Sequence, residues 1–195
     1  HRVPREHNRF SWHVLGVDVS DGEIAFNEYL NDGTFGLFVY NGRTREKRRI
    51  ATGINYVIGG RSHFSPGFPM GPGTNDIFAF YPSIDHGKVA FCSWDGTDYE
   101  IYLWDGGKVI QVTNNEVDDY FPILSDGQIG YMKWTTRCGI TFWDGAREVD
   151  ITKGLFSNDS GCAVDLWVHK GNVIYESNRE LRLWRSGETK TLTDS

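Results

Sequence analysis

Apolar and polar residues alternate along short segments of the chain, and each segment ends at a turn-forming dipeptide. Within residues 101–104, Ile and Leu alternate with Tyr and Trp. This period of two is that of a β-strand. Asp-Gly and Asn-Gly pairs such as Asp105-Gly106 bound the segments, and these pairs favour tight hairpin turns because they adopt positive φ at low cost. The pattern predicts short antiparallel strands.

The segments recur as a repeat of about 40 residues. Tryptophans occupy equivalent positions in three copies, at Trp104, Trp143 and Trp184. Threonines close the same three copies, at Thr113, Thr152 and Thr193. An earlier copy carries Tyr40 and Thr52 in these positions. Together with a preceding segment, each copy holds four predicted strands, which is the content of one β-propeller blade.

The second and third copies resemble the TolB-type, WD40-like (PD40) propeller repeat. They read YPSIDHGKVAFCSW…EIYLWDG…IQVT and FPILSDGQIGYMKW…ITFWDG…VDIT. The resemblance covers residues 14–52 and 78–193, although the copies lack the proline that this family places before Asp-Gly. The resemblance implies an all-β protein, a β-propeller of about four four-stranded blades.

We expect one domain over residues 1–195, with an inserted loop at 54–77. The predicted blades span about 14–53, 78–115, 118–154 and 160–195. A propeller must protect the flanks of its first and last blades. A four-bladed ring, a larger ring completed by a second chain and a piece of a longer array all meet this need. We favour the first, because the length divides into four blades and one insertion.

The amino-acid composition favours β-strands, and the net charge makes one class of partner unlikely. The chain has 23 Gly, 12 Phe, 9 Tyr and 7 Trp but only 2 Met, a mixture that favours strands and turns over a helical bundle. No apolar run reaches the ~18 residues of a membrane span. The net charge of −6 makes nucleic acid an unlikely partner, because a polyanion repels an acidic surface.

The cysteines and the first residue bear on the compartment. Cys92, Cys138 and Cys162 are too few for a disulfide scaffold. We interpret them as buried free thiols, with a Cys138–Cys162 bridge as the alternative. The sequence begins with His1, as in a processed secreted protein or a piece of a longer one. We expect an extracellular or periplasmic location.

Candidate binding residues lie on one predicted face of the propeller. The turns between the first and second strands and between the third and fourth strands of a blade are short, whereas the remaining connections vary in length and lie on the opposite face. Long loops of this kind are commonly functional. Rings, an imidazole, a cation and carboxylates suit a polar ligand. The predicted ligand-binding residues are Arg61, His63, Phe64, Phe68, Asp76, Asp98, Asp118 and Asp119.

The residue set favours binding over catalysis. No coherent nucleophile, acid–base pair or metal-ligand set is evident, so we predict no catalytic residue and no cofactor, with calcium as the alternative at the clustered acids. We expect a noncatalytic recognition or assembly module with a protein or glycan partner. One alternative is a glycan hydrolase or lyase using His63, Asp98, Asp118 and Asp119. The other is an oligomeric, structural subunit of an extracellular polymer.

Overall fold

The computed structural model describes residues 16–30, 35–52, 80–134, 138–152, 166–177 and 180–193. Within these ranges the regular secondary structure consists of sixteen β-strands in four antiparallel sheets. No helix in this part of the chain is long and apolar enough to cross a membrane. The predicted all-β class is confirmed.

Each sheet is a four-stranded meander whose strands lie in chain order. The first sheet contains β1 (Val17–Ser20), β2 (Glu23–Tyr29), β3 (Phe35–Asn41) and β4 (Lys47–Thr52). The second contains β5 (Phe80–Asp85), β6 (Lys88–Trp94), β7 (Tyr99–Trp104) and β8 (Val109–Gln111). The third contains β9 (Asp118–Ser125), β10 (Gln128–Trp134), β11 (Cys138–Trp143) and β12 (Glu148–Asp150). The fourth contains β13 (Leu166–His169), β14 (Asn172–Ser177), β15 (Glu180–Arg185) and β16 (Glu188–Thr191).

Successive sheets pack face to face, and their first strands are in contact. Strand β5 contacts β1 and β9, and β13 contacts β9 and β10. Three apolar clusters fill the spaces between successive sheets. The first strands are also joined by hydrogen bonds, since Ile84 N donates to Asp18 Oδ2 at 2.8 Å and Leu124 N donates to Ser83 Oγ at 3.0 Å. This radial arrangement is a propeller of four four-stranded blades.

The side of β1 that faces away from the second sheet is exposed. Val17 and Val19 are 63% and 66% exposed there, and Trp167 on β13 is 52% exposed. Closure of the first sheet against the fourth therefore stays a prediction, as do the blade boundaries and the single domain over 1–195. The predicted inserted loop at 54–77 lies outside the described residues.

The turns between the first and second strands are tight, as predicted. Both residues of Asp126-Gly127 have positive φ, and so do the corresponding residues of the other three sheets. Asp105-Gly106 does not form the tight hairpin turn predicted for it, since only the glycine has positive φ. Asp105 Oδ1 instead accepts hydrogen bonds from Gly107 N and Lys108 N, both at 2.9 Å. The carboxylate closes a four-residue loop, because aspartate can replace backbone acceptors in a turn.

In the second and third sheets, the recurring threonine fastens the end of the repeat to its third strand. The hydroxyl oxygen of Thr113 accepts a hydrogen bond from Ile101 N at 2.8 Å, and that of Thr152 accepts one from Ile140 N at 2.9 Å. Both threonines are buried. The repeat position therefore satisfies a backbone donor where the fourth strand has ended.

The cysteines differ from one another. Cys92 is buried and forms no disulfide, as expected. Cys138 is disulfide-bonded, so the interpretation of this residue as a free thiol is wrong. Its side chain is buried at the start of β11, where a covalent bond can restrain the entry to the strand. Cys162 lies outside the described residues.

Candidate functional site

Two connections meet between the second and third sheets on the face with the longer loops, which we call the loop-rich face. The first joins β6 to β7 through residues 95–98, and the second joins β8 to β9 through residues 112–117. Tyr99 N donates a hydrogen bond of 3.1 Å to Asp118 Oδ1. This bond ties the start of β7 to the start of β9, so both connections border one site.

The β6–β7 loop is built around Asp95. Its Oδ1 accepts hydrogen bonds from Thr97 N at 2.7 Å and Asp98 N at 3.2 Å, while Asp95 N donates to Asp98 O at 3.0 Å. Gly96 has a φ of 117°, a value that few other residues adopt. The side chain thus shapes the turn and keeps its charge at the exposed rim.

Asp98 is a buried carboxylate for which the described residues supply no ion-pair partner. It is 6% exposed, and neither of its carboxylate oxygens has a hydrogen-bond partner in the described part of the chain. Burial, together with the smaller effects of the acidic neighbours Glu100, Asp95, Asp118 and Glu116, raises the pKa of Asp98 to about 6. Keeping the ionised form of Asp98 buried costs considerable free energy, because the carboxylate has lost its contact with water without gaining a partner among the described residues.

Glu100 is fully buried, and both of its carboxylate oxygens accept hydrogen bonds. It is 0% exposed, and its Oε2 accepts hydrogen bonds from Thr113 Oγ1 and, at 3.4 Å, from Asn115 Nδ2. Its Oε1 accepts one from Asn115 N. The carboxylate therefore fastens the β8–β9 connection to the centre of the second sheet.

Asp119 lies behind Glu100 in the same polar network. Asn115 Nδ2 donates a 2.8 Å hydrogen bond to Asp119 Oδ2, whereas Oδ1 is buried without a partner among the described residues. Burial raises the pKa of Asp119 to about 7, although Lys133 and Asn115 oppose the shift. Asp119 is 0% exposed, so it supports the site from within and does not face solvent.

Aromatic rings border the acidic group. Trp94 meets Tyr99 edge to face at 5.3 Å, and Tyr99 lies 5.2 Å from the ring of Tyr120. Phe121 follows at 6.1 Å with a φ of 54°, beside a register shift between β9 and β10. Trp94 and Phe121 are only partly buried. A positive φ at a non-glycine residue beside a bulge is a feature that recurs at functional sites.

The structure brings three predicted site residues together and adds others. Asp98, Asp118 and Asp119 all lie at this junction. The remaining predicted residues fall outside the described part of the chain: Arg61, His63, Phe64, Phe68 and Asp76. Sequence reasoning missed the roles of Asp95, Glu100 and Asn115. One signal was present, because Glu100 stands in an otherwise apolar repeat strand where the next copy has Gly139.

A second group of ionisable residues lies on the opposite face. His86 Nδ1 is 2.9 Å from Asp85 Oδ1, and His86 Nε2 is 3.8 Å from Asp21 Oδ2. The hydrogen bond and charge of Asp85 raise the pKa of His86. These side chains form an ion pair between the first two sheets, and both His86 and Asp21 are exposed.

Comparison with known proteins finds solved structures that are similar to this chain in fold. No family model matches it, and no curated protein matches it. A solved structure of a putative TolB from Agrobacterium tumefaciens is similar, with 16% identity, a TM-score of 0.52, and coverage of 88% of this chain and 61% of that one. An acylaminoacyl peptidase from Pyrococcus horikoshii gives 10% identity, a TM-score of 0.53, and coverage of 93% and 32%. The computationally designed Ika4 protein gives 12% identity, a TM-score of 0.50, and coverage of 93% and 94%.

These likenesses concern the fold alone, because every identity is low. This chain spans less than two thirds of the TolB structure and about a third of the peptidase. They agree with the four radial sheets and with the predicted TolB-like repeat. Function has to be argued from the site.

Proposed function

We propose that this chain, which has the fold of a TolB-like β-propeller, is a noncatalytic recognition module that binds a protein partner through its loop-rich face. The observation that carries the proposal is the acidic group between the second and third sheets. The charges that act most strongly on Asp98 are all acidic, from Glu100, Asp95, Asp118 and Glu116. A surface with this charge favours a cationic partner.

The chemistry of the rim favours a protein segment that carries lysine or arginine beside apolar residues. Asp95 and Glu116 are exposed, and Asp118 is half-buried. Partly buried Trp94 and Phe121 offer ring faces nearby. Aromatic side chains are enriched in protein interfaces and also attract cations. A glycan could use the same rings and carboxylates, so a glycan partner is the alternative outcome of the test below.

The geometry supports a binding role better than a hydrolase or lyase. A glycosidase needs a pair of carboxyl groups that reach the sugar. Of the carboxylates named for that alternative, Asp98 is 6% exposed and Asp119 is 0% exposed. The raised pKa of Asp98 would suit a general acid, but both of its oxygens are buried.

An extracellular or periplasmic location is part of the proposal. The disulfide at Cys138 supports it, because disulfides persist in oxidising compartments and are rare in the cytosol.

Fluorescence anisotropy can test this function with two labelled peptides. One carries lysines between apolar residues, and the other carries glutamates in place of the lysines. We expect the whole chain to bind the lysine peptide only, and the double substitution Asp95→Asn and Glu116→Gln to weaken binding roughly 2- to 30-fold, at about 0.2–1 kcal/mol per exposed ion pair. The matched control, Asp144→Asn with Glu188→Gln, removes the same charge from the β11–β12 turn and from the start of β16, on the opposite face, and should leave binding unchanged.

Equal losses in the two double variants would mean that net charge alone attracts the peptide, which would contradict a specific face. A glycan array provides the other arm. Glycan binding that Asp95→Asn with Glu116→Gln removes, without binding of the lysine peptide, would replace the protein partner with a glycan.

A further inference from the structure

The carboxylate of Asp98 is the strongest unexplained feature of the site. Its two oxygens are inaccessible to solvent and lack a hydrogen-bond donor in the described part of the chain. Its side chain is more than nine-tenths buried. Native structures rarely leave such atoms unpaired, and an exception calls for an ion or another ligand. The acidic neighbours make the ionised form still less favourable unless a cation is present.

The oxygens around Asp98 have the spacing of a calcium shell. One carboxylate oxygen each from Asp95, Asp98 and Glu100 lies within 4.8 Å of the other two. Calcium binds oxygen ligands at about 2.3–2.6 Å, so two oxygens on opposite sides of one ion are about 4.6–5.2 Å apart. All three can therefore coordinate the same ion. The group contains only oxygen ligands, which favours Ca²⁺ over Zn²⁺.

The surrounding structure holds these carboxylates in place before any ion binds. The Asx turn of Asp95 uses Oδ1 to accept two backbone donors. Glu100 lies on β7 and is held by Thr113 and Asn115. In metal sites, the ligands are typically oriented by hydrogen bonds from residues that do not themselves contact the ion. The arrangement combines one exposed ligand at the rim with two buried ones.

We propose that Asp95, Asp98 and Glu100 bind one Ca²⁺ ion at the β6–β7 loop of the second sheet. The ion supplies a positive charge that the described residues do not place beside Asp98, and it links the loop to the strand that carries Glu100. Bound water and backbone oxygens would complete its shell, as calcium commonly takes six to eight ligands. Calcium binding can be measured without a macromolecular partner, so failure of this site can be distinguished from failure of the recognition function, although Asp95 belongs to both.

The group of Asp21, Asp85 and His86 on the opposite face is the competing cation site. Its ligand atoms also lie within 4.8 Å of one another. However, His86 already pairs with Asp85 at 2.9 Å, and two of its three members are exposed. No buried oxygen of this group lacks a partner among the described residues. It therefore gives no independent reason to expect an ion, and it serves as an internal comparison.

Calcium titration of the whole chain after EDTA treatment and dialysis tests the proposal. Isothermal titration calorimetry with CaCl₂ should give one ion per chain and a Kd at or below about 1 mM, the range of extracellular calcium modules. At one hundred times Kd, the melting temperature should rise by about 5–11 °C. Terbium should give sensitised luminescence, because Trp94 and Tyr99 flank the loop.

Three single substitutions localise the ion. Asp98→Asn should weaken calcium binding at least about 10-fold and, without calcium, raise the melting temperature, because it removes a buried unpaired charge. Asp95→Asn keeps the turn acceptor and should also weaken binding. Asp105→Asn is the matched control, since Asp105 closes a turn in the same way on the opposite face, and it should bind calcium as the unsubstituted chain does.

Asp98→Asn is expected to weaken calcium binding and yet to raise the melting temperature without calcium. This opposite pair of effects distinguishes loss of the ion from damage to the fold. A variant that only damages folding would melt at a lower temperature both with and without calcium, and this result would overturn the proposal. The absence of calcium binding at about 10 mM, tenfold above the weakest Kd expected of such modules, would also overturn it. So would calcium binding that Asp21→Asn removes and Asp98→Asn leaves intact. Repeating the lysine-peptide assay in EDTA separates failure of this site from failure of the recognition function.

Discussion

Gly130 offers a direct test of the packing between the third and fourth sheets. It lies in β10, where a Cβ atom would be 2.5 Å from Val168 Cγ2 and 3.4 Å from Leu166 Cδ2 of β13. Its φ is not in the left-handed region, so alanine adds a steric conflict without backbone strain. Atoms this close cannot both keep their positions, and either Val168 or the whole of β13 must move.

We expect Gly130→Ala to lower the free energy of unfolding by about 1–3 kcal/mol, the usual cost of overpacking a well-packed core. For a chain of this size the melting temperature should fall by about 2–12 °C. Urea denaturation followed by tryptophan fluorescence measures the change, because Trp184 belongs to the apolar cluster between the same two sheets.

A control and a double substitution isolate the steric cause. Gly107→Ala places its Cβ no closer than 3.5 Å to Asp105 Oδ1, and it should change stability by less than about 1 kcal/mol. Val168→Ala removes the obstructing methyl group and should cost about 1–2 kcal/mol alone. The double variant Gly130→Ala with Val168→Ala should cost at least about 0.5 kcal/mol less than the sum of its parts. Strict additivity, or a cost no larger than that of Gly107→Ala, would refute the radial packing.

Three further predictions follow from buried groups. Burial raises the pKa of Asp119 to about 7, above the ~3.9 of an unfolded chain; the folded state therefore holds a proton that the unfolded state releases, and the free energy of unfolding should fall as pH rises from about 4 to 7. Asp119→Asn should flatten this slope in urea denaturation across that range. Thr113→Val removes the acceptor for Ile101 N and a donor to Glu100 and should cost about 1–3 kcal/mol, whereas the equivalent change at exposed Thr193 should cost less than about 1 kcal/mol. Thiol titration in denaturant should detect one thiol per chain, that of Cys92, and all three cysteines after reduction, because Cys138 is disulfide-bonded.

Each of these predictions has a contradicting result. A stability that rises between pH 4 and 7 and does so equally in Asp119→Asn would contradict a raised pKa for this carboxyl. Equal losses of unfolding free energy for Thr113→Val and Thr193→Val would mean that burial does not determine how much the threonine hydroxyl contributes to stability. Three reactive thiols in denaturant without reductant would contradict the disulfide.

Local patterns predicted the fold because they act within a few residues. Alternation over 101–104 predicted a strand, and Asp126-Gly127 predicted a tight turn because both depend on neighbouring φ and ψ alone. The turn at Asp105 was mispredicted, since the same dipeptide can close a longer loop when its carboxylate accepts backbone donors.

The candidate site was only partly predictable because its contacts join distant parts of the chain. Asp98 and Asp118 stood out as acids in connections on the predicted loop-rich face. The link between Glu100 and Asp119 runs through Asn115, whose side chain reaches both carboxylates, and periodicity says nothing of such a bridge. The positive φ of Phe121 depends on the bulge between β9 and β10, which alternation does not encode.

An experimental structure of crystals soaked with terbium would test most directly whether the loop-rich face between the second and third sheets holds the functional site. We expect one strong anomalous peak at about 2.3–2.6 Å from carboxylate oxygens of Asp95, Asp98 and Glu100. A peak at Asp21, Asp85 and His86 instead, or no peak at the β6–β7 loop under saturating terbium, would contradict this expectation.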